Sequence, residues 1–152
     1  MTVTARLAEL GLSIPAVAKP VASYVPATTA GNLVFTAGQL PFVDGQLPAT
    51  GKVGAEVDAE DAKGYARTAV LNALAAVETA IGSVDRITRI VKLVVFVASA
   101  PEFAGQPGVA NGASDTLVEI FGDAGRHSRS AVGVAVLPLD APVELELIVE
   151  FE

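Results

Sequence analysis

Arg129 stands at the head of an otherwise apolar run, Arg129-Ser130-Ala131-Val132-Gly133-Val134-Ala135-Val136-Leu137, which ends in a turn at Pro138. A guanidinium in apolar surroundings needs a partner, because a lone charge removed from water is strongly unfavourable. Acidic groups follow fifteen positions later, where Glu144 and Glu146 alternate with Val143, Leu145 and Leu147 in a second strand-like run. The planar fork of an arginine matches a carboxylate bidentately, so Arg129 in a partly desolvated cleft suits an amino-acid-like anion. Glu144, if poised nearby, can hold and polarise a water for attack on an electrophilic carbon. The same residue types also fit an Arg–Glu pair that merely closes a sheet edge, and types alone leave both readings open.

Strand geometry restricts how these groups can meet. If the two runs form a hairpin turning near Asp140, Arg129 falls opposite about Phe151. Glu144 is then about seven positions off, roughly 20 Å at the rise of a strand. Either the register differs, or Arg129 of one subunit meets Glu144 of its neighbour. His127 can share the side of Arg129 and shuttle a proton near neutral pH, or it can be a loop residue ahead of the strand. Tyr24 offers a hydroxyl or a ring face to a ligand, the alternative being simple packing on an edge strand. Asn111 can bond a ligand or cap the backbone of a helix. Asp115 and Glu119 read as solvated helix residues.

The elements that must position these residues follow from periodicity and punctuation. Val3 to Gly11 carries Leu7, Ala8 and Leu10 at helical spacing and stops at glycine, which predicts a short N-terminal helix over 3–11. Val21 to Ala30 mixes Val, Tyr and Thr and predicts a strand bearing Tyr24; Gly31-Asn32 then turns into Leu33 to Ala37, a hairpin signal. Residues 41–55, with Pro41, Gly45, Pro48, Gly51 and Gly54, read as loop. Asp58 to Ile81 is the clearest helix, free of proline and rich in alanine, with Tyr65, Ala69, Ala73, Val77 and Ile81 recurring every four residues. Glu60 and Asp61 near its start suit the positive end of its dipole. Ile87 to Val97, centred on Leu93-Val94-Val95-Phe96-Val97, reads as a central strand buried on both faces. Pro101 to Gly108 reads as loop, and a second helix runs from about Val109 to Phe121 until Gly122 and Gly125 end it. The two C-terminal runs complete the order strand, strand, helix, strand, helix, strand, strand, as one domain over 1–152.

Composition bounds the function. The 152 residues, 51% hydrophobic with a mean hydropathy of +0.52, suffice for one packed core and exclude disorder. A net charge of −7 and a pI near 4.6 remove the cationic field that non-specific nucleic-acid or anionic-membrane binding needs. Any anion must therefore be met locally. The absence of cysteine and the single histidine, His127, leave no disulfide framework, thiol nucleophile or metal-ligand cluster. No phosphate loop, dinucleotide fingerprint or nucleophile elbow is present. With no leader-like or membrane-spanning run in view, the chain reads as soluble and cytoplasmic. High hydropathy with only 18% charged residues predicts apolar surface buried between subunits of a homo-oligomer.

Against that background the sequence resembles the Rid family, also called YjgF or endoribonuclease L-PSP. The resemblance is carried by Gly31 through Pro41 (GNLVFTAGQLP), by Val91 through Val97 (VKLVVFV), and above all by RSAVGVAVLP from Arg129 to Pro138 followed by Val143-Glu144-Leu145-Glu146. It covers nearly the whole chain after the N-terminal helix. The longer N-terminus, Val109 to Asp115 and Gly125-Arg126-His127 are similar to the subgroup named for an endoribonuclease L-PSP and chorismate-mutase-like domain. The resemblance implies an α+β, chorismate-mutase-like fold, a mixed sheet with two main helices packed on one face, assembled as a homotrimer with clefts between subunits. It implies hydrolysis of 2-imino acids, or their 2-enamine tautomers, to 2-keto acids and ammonia, with no cofactor. On this resemblance Arg129 matches the carboxylate-binding arginine, Glu144 the water-orienting glutamate, Tyr24 the ring-contributing tyrosine and Asn111 the asparagine near the second helix. Ala37 replaces a serine before the Gly-Gln pair and Ala131 a cysteine two places after the arginine, so only their backbone groups can contribute to substrate binding. The alternatives are a non-catalytic trimer that binds a small 2-imino or 2-keto acid and, less well matched to an acidic chain with one histidine, a ribonuclease.

Overall fold

Helix α1 (Val3–Glu9) is followed by strands β1 (Ala27–Ala30) and β2 (Leu33–Thr36), helix α2 (Ala59–Ile81), strand β3 (Ile87–Ala98), helix α3 (Gln106–Phe121), and strands β4 (Ser128–Val134) and β5 (Val143–Phe151). The computed structural model describes residues 1–17 and 22–152. The strands form one sheet in the order β1-β2-β5-β3-β4, in which β3 and β4 are parallel and the other neighbours antiparallel. A parallel pair cannot be closed by a tight turn, and α3 is the crossover that carries the chain from β3 to β4. The expected hairpin of the last two strands does not form. β3 lies between them, and Arg129 is in register with Leu93, which pairs with Leu147 and not with Phe151.

Period-2 alternation then assigns the faces. Leu93, Val95 and Val97 of β3 and Val143, Leu145, Leu147 and Val149 of β5 are buried under the helices. Their neighbours Val94, Phe96 and Ile148 turn the other way and are only half-buried, so the predicted burial of β3 on both faces is not met within the chain. The helix side is built from small residues. Ala62, Ala66, Ala69, Ala73 and Ala76 of α2 are fully buried, and Gly112 of α3 sits so close to the Lys63 carbonyl that an added Cβ would overlap it. The Asp58 side chain caps α2 by accepting from the Glu60 amide, and Gly82 ends it at φ 88.

Boundaries differ from expectation where proline decides them. The first strand starts at Ala27, with Ala27 paired to Thr36; Pro26, just before it, has no N–H to extend the ladder. Tyr24 therefore precedes the sheet instead of lying on a strand, and Val21, where the strand was expected to begin, lies outside the described residues. α3 begins at Gln106, earlier than expected, because Pro107 sits in the first turn, where a missing N–H costs no helical bond. Among the described residues no helix is long and apolar enough to cross a membrane.

Candidate functional site

β4 is an edge strand, and its register with β3 turns Arg129 and Ala131 toward the helices, beside Leu93 and Val95. There Arg129 reaches α3. Its Nη1 donates to Asn111 Oδ1 at 2.7 Å and to Ser114 Oγ at 3.1 Å. Asn111 and Ser114 are three residues apart, which places them on one face of the helix. Asn111 is thus an interior residue of α3, not a cap; the N-cap is Gly105, which has no side chain to offer. The ion pairs formed among the described residues leave Arg129 out, so the sheet-edge Arg–Glu pair is not formed within the chain. His127 lies just before β4, with Nε2 2.9 Å from Ser114 Oγ and Nδ1 2.6 Å from the Gly125 carbonyl oxygen. Ser114 was not legible as a site residue in the sequence; its one signal is the helical spacing from Asn111.

Glu144 is in register with Phe96 and so projects from the opposite face of the sheet. Gly38, in the loop after β2, lies against it; a Cβ there would overlap the carboxylate. Glu144 is half-buried and enters none of the ion pairs among the described residues. Burial raises its pKa above the ordinary 4.5, and the neighbouring Glu146 charge adds to the rise. A raised folded-state value means that the native state holds the proton more tightly than the unfolded chain. The contribution to stability is complete below 4.5 and is lost as pH rises through the raised value. Glu144→Gln, which cannot ionise, is accordingly expected to raise the thermal midpoint at pH 7 and to leave it unchanged at pH 4. A pair of unfolding curves at the two pH values checks this.

Residues 4–151 match the model of the family described as "YjgF/chorismate_mutase-like, putative endoribonuclease". The chain belongs to the YjgF family. Protein TCP17 of Trypanosoma cruzi is 43% identical over 149 residues, covering 97% of this chain and 93% of that protein. The solved structure of Atu1372 from Agrobacterium tumefaciens superposes with a TM-score of 0.91 at 44% identity, covering 99% of this chain and 92% of that one. TdcF of E. coli, solved with bound serine, superposes with a TM-score of 0.65 at 29% identity, over 90% of this chain and 94% of that one. The mixed sheet with helices on one face is the YjgF-like α+β fold.

Within this YjgF chain the residues singled out from sequence fall into separate groups. Arg129 and Asn111 touch; Glu144 is not with them. Two strand spacings across the sheet and three residues along it put Arg129 and Glu144 about 14 Å apart at the backbone, and their side chains leave opposite faces. Tyr24 is 55% exposed. The Ala37 amide donates to the Pro26 carbonyl at 2.8 Å and its own carbonyl accepts from Gln39 Nε2 at 3.2 Å, so both backbone groups already have partners. Ala131 packs against the core beside Arg129. Among the described residues no His, Asp or Glu cluster could hold a metal. A groove of about 510 Å³ between α1 and the end of α3, lined by Val3, Arg6, Ile87 and Phe121, lies apart from all of these.

Proposed function

We propose that the protein hydrolyses 2-imino acids, or the 2-enamines in equilibrium with them, to 2-keto acids and ammonia, with Arg129 binding the substrate carboxylate. The observation that carries this reading is that, among the described residues, the half-buried Arg129 guanidinium bonds only neutral groups, Asn111 and Ser114, and so keeps its full charge for an anion. Serine bound to the relative TdcF carries the same pairing of a carboxylate with a nitrogen on the adjacent carbon. In the reaction a water gives a proton to Glu144 while its oxygen bonds to C2, and the electrons of the C=N bond move to nitrogen. Glu144 returns that proton to the nitrogen, giving the carbinolamine, and the hydroxyl hydrogen then passes to the same nitrogen as C2=O forms and the C–N bond breaks, so that ammonia leaves. The raised proton affinity of Glu144 suits it to accept that proton.

On this reading Arg129 and Glu144 of one site come from different subunits of a homotrimer. Their separation within one chain supports it. So does the sheet face that carries Glu144, where Phe35 and Val132 are exposed and Val94, Phe96 and Ile148 half-buried, with no helix or strand of the described residues across them. A second reading, a carboxylate-binding trimer without catalysis, is favoured by Ala37 and Ala131, which bring no side-chain donor. Imines generated in place by an amino-acid oxidase separate the two. The first reading expects the purified protein to accelerate release of 2-keto acid well above the rate in buffer; the second expects 2-keto acid binding with imine decay as in buffer.

A further inference from the structure

We propose that Ser114 and His127 are positioning residues for Arg129, holding Nη1 so that only the Nε–Nη2 edge of the guanidinium is presented to a carboxylate. This rests on the reading of Arg129 as the carboxylate-binding group. The direction of each hydrogen bond follows from what each atom can do. The Gly125 carbonyl oxygen only accepts, so His127 Nδ1, 2.6 Å away, carries a hydrogen. In the neutral imidazole Nε2 is then bare, and the Ser114 hydroxyl, 2.9 Å away, donates to it. With its one hydrogen committed, Ser114 Oγ turns lone pairs toward Arg129, and Nη1 donates into them at 3.1 Å. The other Nη1 hydrogen goes to Asn111 Oδ1 at 2.7 Å.

A guanidinium grips a carboxylate bidentately either end-on, through Nη1 and Nη2, or side-on, through Nε and Nη2. Occupation of both Nη1 hydrogens closes the first mode and leaves the second. The relay is also built on fixed supports. A Cβ on Gly125 would overlap the Leu117 carbonyl, so the turn that offers its carbonyl to His127 is pressed directly on α3. Gly112, between Asn111 and Ser114, is pressed just as closely on α2. Both partners of Nη1 are therefore held by backbone contacts, which lowers the ordering cost of binding.

His127 is the single histidine of the chain, so its ring nitrogens can be read without overlap in ¹⁵N NMR of the whole protein. The expected spectrum of the neutral form has hydrogen on Nδ1 and a bare Nε2, with the Nε2 signal moving in Ser114→Ala. Hydrogen on Nε2 instead would overturn the proposal. Titration with 2-oxobutanoate, a small 2-keto acid, gives the functional arm. Ser114→Ala and His127→Phe are each expected to weaken binding about tenfold, the size of one net hydrogen bond. His127→Gln places an amide oxygen near the position of Nε2 and is expected to bind within about twofold of the unaltered protein, a rescue that a purely structural role would not give. If Ser114→Ala and His127→Phe bind as tightly as the unaltered protein while Arg129→Ala does not bind, the positioning role is wrong and the carboxylate reading stands. If the unaltered protein does not bind 2-oxobutanoate, that reading fails and the positioning role with it.

Discussion

Arg129→Ala is expected to lower kcat/KM for imine hydrolysis at least about a hundredfold. Two hydrogen bonds between charged groups, at roughly 1.5–3 kcal/mol each, are removed from the enzyme–substrate pair, and a hundredfold corresponds to about 2.7 kcal/mol. Part of that loss should appear in kcat, since an imine whose carboxylate is not fixed does not hold C2 against the water. The fold should survive the change. Among the described residues Arg129 bonds only Asn111 and Ser114, so losing it removes a half-buried cation and leaves two neutral acceptors, a cost of about 1–2 kcal/mol. Arg129→Lys restores the charge but not the planar fork, and it should recover only a minor part of the activity. Steady-state rates measured beside thermal unfolding of each variant separate loss of the clamp from loss of the fold.

Gly112→Ala is expected to have the largest effect on stability. Alanine favours a helix over glycine by about 1 kcal/mol, so substitution in the middle of α3 would stabilise the helix if space allowed. Space does not allow it, because the new Cβ would overlap the backbone carbonyl of Lys63, which cannot rotate away as a side chain can. Overpacking of this kind costs about 3 kcal/mol, and the balance is a net loss of about 2 kcal/mol or more. Gly64→Ala in α2 is the control: nothing lies within 4 Å of a Cβ at that position, and it should stabilise by about 0.5–1 kcal/mol. Urea unfolding of the two variants checks both signs. Because Asn111 and Ser114 flank Gly112, whatever of the variant folds should also bind carboxylates more weakly.

The sequence made the helices and the strand faces legible because both are written in local periodicity. The four-residue repeat from Ala69 to Ile81 gave the buried stripe of α2, and the alternation from Val143 to Val149 gave the buried face of β5. Neighbour relations were not legible, because alternation says which way a side chain points and not which strand lies beside it. The hairpin expected for the last two runs was the simplest closure of two adjacent strands. Insertion of β5 between β2 and β3 depends on the long pairing of β3 with β5, which local pattern does not reveal. Tyr24 was misplaced because Val, Tyr and Thr around it have strand propensity, yet Pro26 stops the ladder after it. Arg129 was legible as a charge out of place. Its dependence on Ser114 and His127 was not, since that needs α3 and the turn at Gly125 brought to the same edge of the sheet.

The central claim is that a complete site forms only where Arg129 of one subunit meets Glu144 of another. Arg129→Ala and Glu144→Gln chains, each inactive alone on this account, can be co-expressed so that mixed trimers assemble. A site completed across the subunit boundary then takes its arginine from one variant and its glutamate from the other, and random assembly should restore activity to about a quarter of that of the unaltered protein. Mixed trimers that remain as inactive as either variant by itself, while the unaltered protein turns over imines, would contradict the claim.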